Sequence, residues 1–234
     1  MHARNNGRQT VSKKQTLEID VISDVMCPWC YIGKTNLDAA IARVDDLDVV
    51  VRWRPYQLDN TLPKEGLDRA TYLNNKFGGE ERAQEIYGRI RDAGKALGID
   101  FNFEDMKVSP NTLDAHRVIM WAGGQSAEVQ NKLVERLFEV FFLEGGNIGL
   151  DEVLSEAAAH AGMDPAIVGD LLKTEDDKDR VSSQIDHARE MGVQGVPCFI
   201  VDNKFAVMGA QPPEQLVGAF RHAITERENP TSTA

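Results

Sequence analysis

Residues 17–30 read LEIDVISDVMCPWC, and this stretch decides the expected fold. Residues 17–22 alternate between apolar and acidic side chains and then continue apolar, which is typical of a central β-strand. The following residues form a turn that leads into a helix, which we expect from Cys27 to about Val44. The sequence therefore places a Cys-x-x-Cys motif where a strand and turn give way to the N-terminus of a helix.

The chemistry expected of this motif follows from its place on the helix. Exposed backbone N–H groups and the helix dipole favour negative charge at a helix N-terminus. The thiolate is the nucleophile in disulfide exchange, so we expect Cys27 to attack a disulfide and Cys30, one turn later and more covered, to resolve the mixed disulfide. Pro28 suits the first helical position, where its missing N–H costs nothing. Trp29 offers a flat apolar face to a polypeptide or small thiol substrate.

Composition limits the classes of partner. The 234 residues carry a formal net charge of −11, with 42% hydrophobic and 27% charged residues, as in a globular protein. This charge disfavours nucleic acid and anionic membranes as partners, and no apolar run approaches the roughly 18 residues of a spanning helix. Residues 1–16 are basic and polar without the apolar segment of a secretory signal, so we expect a disordered tail and a cytoplasmic protein.

The number of cysteines in the chain limits the structural roles that they can have. Three cysteines are an odd and sparse set, which argues against a disulfide framework in a reducing cytosol. A zinc site would need a second Cys-x-x-Cys or a suitably spaced histidine pair, and the sequence has neither, so we expect no metal. Redox catalysis by Cys27 and Cys30 is the favoured interpretation.

The rest of the chain divides into sheet-forming ends and a helical middle. Residues 66–192 follow a helical pattern punctuated by glycines, and Asp164-Pro165 is a typical helix start. The remaining expected elements are a strand over 49–55, a hairpin of strands 198–201 and 205–208, and a last helix over about 214–227.

Pro197 is the second signal of redox chemistry. It stands directly before the strand that begins at Cys198. General frequencies favour a trans Val196–Pro197 bond. The combination with Cys-Pro-Trp-Cys favours a cis bond instead.

Several stretches together carry a family resemblance. They are Ser23-Asp24, Cys27 to Lys34, Asn111 to Arg117, Gly192 to Pro197 and Gly209 to Gln211. With these residues the chain, from about 17 to 226, resembles the DsbA-like branch of the thioredoxin superfamily. More narrowly, it is similar to the FrnE-like oxidoreductases, relatives of 2-hydroxychromene-2-carboxylate isomerase and the kappa-class glutathione transferases.

The resemblance implies an α/β protein. It would be a thioredoxin fold, residues 17–65 and 193–228, with a large all-helical insertion, residues 66–192, between the second strand and the cis-proline loop. Cys27 would be the nucleophile, Cys30 the resolving thiol and Pro197 the cis-proline facing them, while the Val196 backbone would pair with a substrate in a strand-like manner.

The resemblance also implies the partners. Family members act on protein or low-molecular-weight thiols and disulfides and are often homodimers. No bound cofactor is implied beyond the Cys27–Cys30 disulfide, and glutathione is an open candidate co-substrate.

Other residues keep two interpretations. Asp24 either caps the turn before Cys27, which is favoured, or relays a proton. Asn111 would face the active site from the insertion, while His116 either holds helices together, which is favoured, or takes part in catalysis. Cys198 stands where relatives commonly carry an apolar residue; we favour a buried packing cysteine over a third redox thiol.

Three functions remain open at this point. The leading hypothesis is a protein disulfide oxidoreductase or isomerase. The second is a glutathione-dependent isomerase or transferase, whose relatives commonly carry serine at the nucleophile position, so that Cys27 disfavours it. The third is a redox-sensing or chaperone-like binding module without turnover.

Overall fold

The computed structural model describes residues 14–228, in which sheet-forming segments enclose a long helical block. The elements are, in chain order, β1 Gln15–Ser23, α1 Pro28–Ile41, β2 Leu47–Pro55, β3 Leu67–Asp68, α2 Arg69–Phe77, α3 Glu80–Lys95, β4 Val108–Ser109, α4 Leu113–Gln125, α5 Ala127–Phe142, α6 Asp151–Ala161, α7 Pro165–Leu172, α8 Lys178–Glu190, β5 Cys198–Val201, β6 Phe205–Met208 and α9 Pro213–Glu228.

The main sheet has four strands in the order β2-β1-β5-β6. Strand β1 runs parallel to β2, with Ile19 opposite Val51, and antiparallel to β5, with Ile22 opposite Cys198. Strands β5 and β6 form the expected antiparallel hairpin. The strand predicted before the Cys-x-x-Cys motif is therefore an interior strand of the sheet, and its carboxyl end leads directly into α1.

The helical block lies between β2 and β5, and it also contains a short antiparallel ladder formed by β3 and β4. The molecule is the mixed α/β protein that the sequence predicts. Strand β1 begins at Gln15, inside the range expected for the N-terminal tail, and the rest of that tail, residues 1–13, lies outside the described residues. Within residues 14–228, no helix has the length and apolar character needed to cross a membrane.

One apolar core joins the helical block to the sheet. The buried cluster contains Ile19 of β1 together with Phe138 of α5. The Tyr31 ring of α1 stacks on Phe138 with ring centroids 5.1 Å apart. On β2, the Trp53 backbone N–H donates to Gln130 Oε1 at 2.9 Å, and the Trp53 indole N–H donates to Asn131 Oδ1 at 2.6 Å. Helix α5 therefore packs on both β2 and α1, the helix that contains Cys30.

Arg117 connects the helices of the block to one another. Its side chain is fully buried, and one guanidinium N–H donates to the Asp114 carboxylate at 2.7 Å. Other guanidinium N–H groups donate to the carbonyls of Leu171, Thr174 and Asp176 at 2.8–3.0 Å. Because each of these donors has an acceptor, the buried charge connects α4 to the end of α7 and to the segment that follows it.

Candidate functional site

Cys27 is the N-cap residue of α1 and stands directly before its first helical residue. Its backbone is extended, with φ −93° and ψ 114°, and Pro28 takes the first helical position as expected. The Cys30 N–H donates to the Cys27 carbonyl at 3.0 Å, which closes the first turn, and the Cys27 N–H donates to the Asp24 carbonyl at 2.9 Å. Cys27 therefore occupies the N-cap position of α1, where the first-turn N–H groups lack partners within the helix.

The two sulfurs differ in exposure. All three cysteines are free thiols; Cys27 keeps 4% of its surface exposed, whereas Cys30 is fully buried. Burial raises the pKa of Cys30 well above its usual value, and the hydrogen bond to Cys27 and the charge of Cys27 add to this shift. The Ser23 side chain and the Asp24 backbone partly oppose it. Cys30 therefore keeps its proton at neutral pH.

The loop before β5 lies against Cys27. The Val196–Pro197 bond is cis, as expected, and the Cys27 thiol lies 3.8 Å from the Val196 carbonyl oxygen, to which it donates. The Pro197 carbonyl accepts a hydrogen bond from the Gly209 N–H at 2.8 Å. The Val196 N–H has no backbone partner among the described residues. This loop therefore presents a free donor beside the sulfur.

Gly33 allows this loop to approach α1. A Cβ atom at Gly33 would lie 2.7 Å from Pro197 Cγ and 3.2 Å from the Phe199 ring. Real Cβ atoms do not come that close, so a side chain here would push the loop away from the helix. This role of Gly33 was not predicted from the sequence. The available signal was a glycine inside a predicted helix, which often has a packing reason.

Trp29 and Asp24, on either side of Cys27 in the sequence, differ in burial. Trp29 is 40% exposed and offers an apolar ring at the surface next to Cys27, whereas Asp24 is fully buried. Asp24 accepts from the N–H groups of Met26 at 3.3 Å and Leu58 at 2.8 Å, so its carboxylate bonds the turn before Cys27 to the loop after β2. His116 Nε2 lies 3.5 Å from Asp24 Oδ1 and makes no hydrogen bond among the described residues.

Asn111 and Cys198 have their contacts elsewhere. The Asn111 side chain donates to the Leu62 carbonyl at 2.7 Å, and its oxygen accepts from Gln57 and from the Leu113 N–H. Its hydrogen bonds thus join the loop after β2 to α4 and do not involve the cysteine pair. Cys198 is fully buried in a separate apolar cluster that contains Ile22 and neither of the other cysteines.

The site that results consists of two thiols, a helix N-terminus and a backbone edge. The structure brings together Cys27, Cys30, Val196 and Pro197, with Asp24 behind the turn. Among residues 14–228, no group of three or more histidine, cysteine, aspartate or glutamate side chains is placed to hold a metal ion.

Comparison with known proteins assigns the family. Residues 18–221 match the family model described as a DSBA-like thioredoxin domain. The chain belongs to this family. A curated relative, the uncharacterized protein YwbO of Bacillus subtilis, is 30% identical over 217 residues, which are 91% of this chain and 98% of that protein.

Solved structures share the DSBA-like fold. The crystal structure of a probable DsbA oxidoreductase from Streptomyces coelicolor is 30% identical, covers 90% of this chain and 91% of its own, and superimposes with a TM-score of 0.82. A 2-hydroxychromene-2-carboxylate isomerase is 15% identical, covers 92% of this chain and 100% of its own, and has a TM-score of 0.67. The second match shows a likeness of fold alone.

Proposed function

We propose that this DSBA-like protein is a thiol–disulfide oxidoreductase in which Cys27 attacks a disulfide and Cys30 resolves the mixed disulfide. The observation that carries the proposal is the position of Cys27 at the start of α1, with its sulfur 3.8 Å from the Val196 carbonyl. A helix N-terminus stabilises the thiolate, and the neighbouring loop offers a backbone edge to a substrate.

The proposed reaction moves two electrons from the dithiol to the substrate. The Cys27 thiolate attacks one sulfur of a disulfide RS–SR, a Cys27–SR bond forms, and the first RS⁻ leaves and takes up a proton. The Cys30 thiol then loses its proton and attacks the Cys27 sulfur, which releases the second thiol. The Cys27–Cys30 disulfide is the oxidised product, and the reverse sequence oxidises a substrate dithiol.

Residues around the two cysteines also have proposed roles, either in contacting the substrate or in holding the turn. Trp29 and the free Val196 N–H lie beside Cys27 and would contact the substrate, with Pro28 and Pro197 shaping the surface on which it lies. Asp24 would hold the turn before Cys27, because both its oxygens accept backbone N–H groups.

The proposed substrates follow from the same chemistry, and the proposed location and assembly follow from the sequence and the family resemblance. The substrates would be protein or small-molecule thiols and disulfides, with glutathione as a co-substrate, in a cytoplasmic homodimer. A cysteine at the nucleophile position supports exchange rather than the glutathione-dependent isomerase reaction.

Replacement of the two cysteines tests the proposal. We expect Cys27→Ser to abolish reduction of insulin and of glutathione disulfide, because the nucleophile is lost. Cys30→Ser should accumulate a mixed disulfide on Cys27, detected by mass spectrometry, because the resolving thiol is lost. Cys198→Ala is the matched control, since its thiol packs in the separate cluster, and it should retain wild-type turnover. Turnover by Cys27→Ser equal to wild type would reject the proposal.

A further inference from the structure

Arg69 is a second buried arginine of the helical block, and its surroundings differ from those of Arg117. It is the first residue of α2 and is 6% exposed. Its guanidinium lies 5.0 Å from the ring centroid of Tyr87 and 5.9 Å from that of Phe141. Among the described residues no carboxylate pairs with it, and its Nη2 group is buried without a hydrogen-bond partner.

This lack of a partner is chemically unusual. A buried charge is costly unless it is paired and hydrogen-bonded, and arginine in particular matches carboxylates with two parallel N–H donors. Arg117, in the same block, has a carboxylate and three carbonyl acceptors. Arg69 therefore has unused capacity to bind an anion.

The anion could reach Arg69 from a cavity. Arg69 lines a cavity of about 890 Å³ between α2 and α3. Tyr87 and Phe103 give this cavity aromatic walls, and Asn74 and Gln84 add polar groups. The volume falls in the range of small-molecule binding sites, which are mostly apolar with a few placed polar groups.

Packing connects the cavity to the helix that follows Cys27. Helix α3, which forms one wall of the cavity, contacts α1. The Tyr87 ring of this wall meets Phe103, Phe103 stacks on Phe101, and Phe101 meets Tyr31 of α1 edge to face.

Burial raises the pKa of Tyr87, the Arg69 guanidinium opposes this shift, and the charge of Cys27 adds to it. Burial likewise raises the pKa of Tyr72 of α2, to which Asp59, Asp24 and then Cys27 contribute. Tyr87, whose ring faces the Arg69 guanidinium, and Tyr72 are thus both within electrostatic reach of the Cys27 sulfur.

We propose that this cavity binds the carboxylate of low-molecular-weight thiols and disulfides, with Arg69 as its counter-charge, and so directs their sulfur to Cys27. The inference rests on the proposed function, since it names the substrate class of the same exchange reaction. The reaction itself is unchanged: the dithiol is oxidised, and one carboxylate-bearing disulfide is reduced to two thiols.

The net charge of the whole chain makes a local positive charge necessary for this binding. A net charge of −11 repels anions in general, so a preference for carboxylate substrates requires a local cation. Arg91 also lines the cavity, but it is already paired with Glu104. Among the described residues, Arg69 is the arginine of the cavity wall whose guanidinium has no carboxylate partner.

The test compares three small disulfides that differ in charge: dithiodiglycolate, bis(2-hydroxyethyl) disulfide and cystamine. We expect Arg69→Gln to lower kcat/KM for anionic dithiodiglycolate by about tenfold, mainly through KM, because a charge-assisted bidentate contact is lost. The neutral and cationic disulfides should react as with wild type. Arg82→Gln, the matched control, removes an exposed arginine of α3 that does not line the cavity, and it should leave all three rates unchanged.

Several results would overturn the site. If Arg69→Gln lowered kcat/KM equally for all three disulfides, Arg69 would have a structural role only. If Arg69→Gln left kcat/KM for dithiodiglycolate unchanged, Arg69 would not bind the carboxylate.

A binding measurement separates this inference from the proposed function and does not depend on the folding of the variant. Thiodipropionate, a thioether dicarboxylate that has no disulfide, should raise the melting temperature of the wild-type protein, whereas neutral thiodiglycol should not. Stabilisation by thiodipropionate without exchange of any disulfide would reject the proposed reaction and support the site. No difference between the two thioethers would reject the site.

Discussion

Cys30 is the residue at which burial most directly changes the chemistry. Its pKa is raised by burial, so the folded protein holds its proton at pH values where the unfolded chain, with a thiol pKa of roughly 8.5, has lost it. The unfolded state then binds fewer protons, and the reduced protein loses stability as the pH rises above that value. We expect the difference in unfolding free energy between reduced wild type and Cys30→Ala, measured by urea titration, to fall as the pH rises above roughly 8.5.

The oxidised protein is the control for this prediction, because a disulfide-bonded Cys30 has no proton to lose. A fall of the same size in the oxidised protein would assign the pH dependence to other groups.

At this scale, the sequence predicts the positions of Cys27, Cys30 and Pro197 better than the contacts of the residues around them. The spacing of Cys27 and Cys30 is fixed by one helical turn, and Pro197 is marked by the strand that follows it. The contacts of Asn111 and the unpaired guanidinium of Arg69 depend on which distant segments pack against them. No local pattern encodes such contacts.

At the scale of elements, Gly33 determines how closely α1 approaches the loop before β5. Alanine normally stabilises a helix relative to glycine by about 0.5–1 kcal/mol. We expect Gly33→Ala instead to destabilise the protein by about 1–3 kcal/mol, because its Cβ would lie 2.7 Å from Pro197 Cγ. Exchange by Cys27 should also slow, since the Val196 edge moves away; urea denaturation and insulin reduction measure the two effects.

Gly218 of α9 provides the matched control. No atom lies within 4 Å of a Cβ built there, so Gly218→Ala should stabilise the protein and leave exchange unchanged. Equal effects of the two substitutions would show that the approach of the loop to α1 is not limited by Gly33.

The longer helices and strands are easier to predict from the sequence than the shortest ones. The spacing of apolar residues and the positions of turn and capping residues are sufficient to predict β1, the β5–β6 hairpin and α7. Helix α7 follows Asp164, which accepts from the Ala166 and Ile167 N–H groups. The two-residue strands β3 and β4 are too short to show any period. They exist because tertiary packing brings their backbones together.

At the scale of the whole molecule, the helical block and the sheet share one core. Phe138 of α5 is fully buried, stacks on Tyr31 of α1 and meets Trp53 of β2 edge to face at 6.3 Å. Each of these rings belongs to a different segment of the chain. Neither the block nor the sheet would keep its apolar surface covered without the other, so we expect both to unfold in one cooperative transition.

Phe138→Ala tests this expectation. Removing a fully buried ring should lower the unfolding free energy by about 3–5 kcal/mol. Hydrogen exchange should accelerate by the same factor for the slowest amides of β1 and of α5, because global unfolding exposes both. Ile167→Ala is the control: this side chain of α7 is 59% exposed, so the change should stay within about 0.5 kcal/mol. Faster exchange in α5 with unchanged protection in β1 would show that the helical block unfolds as a separate unit.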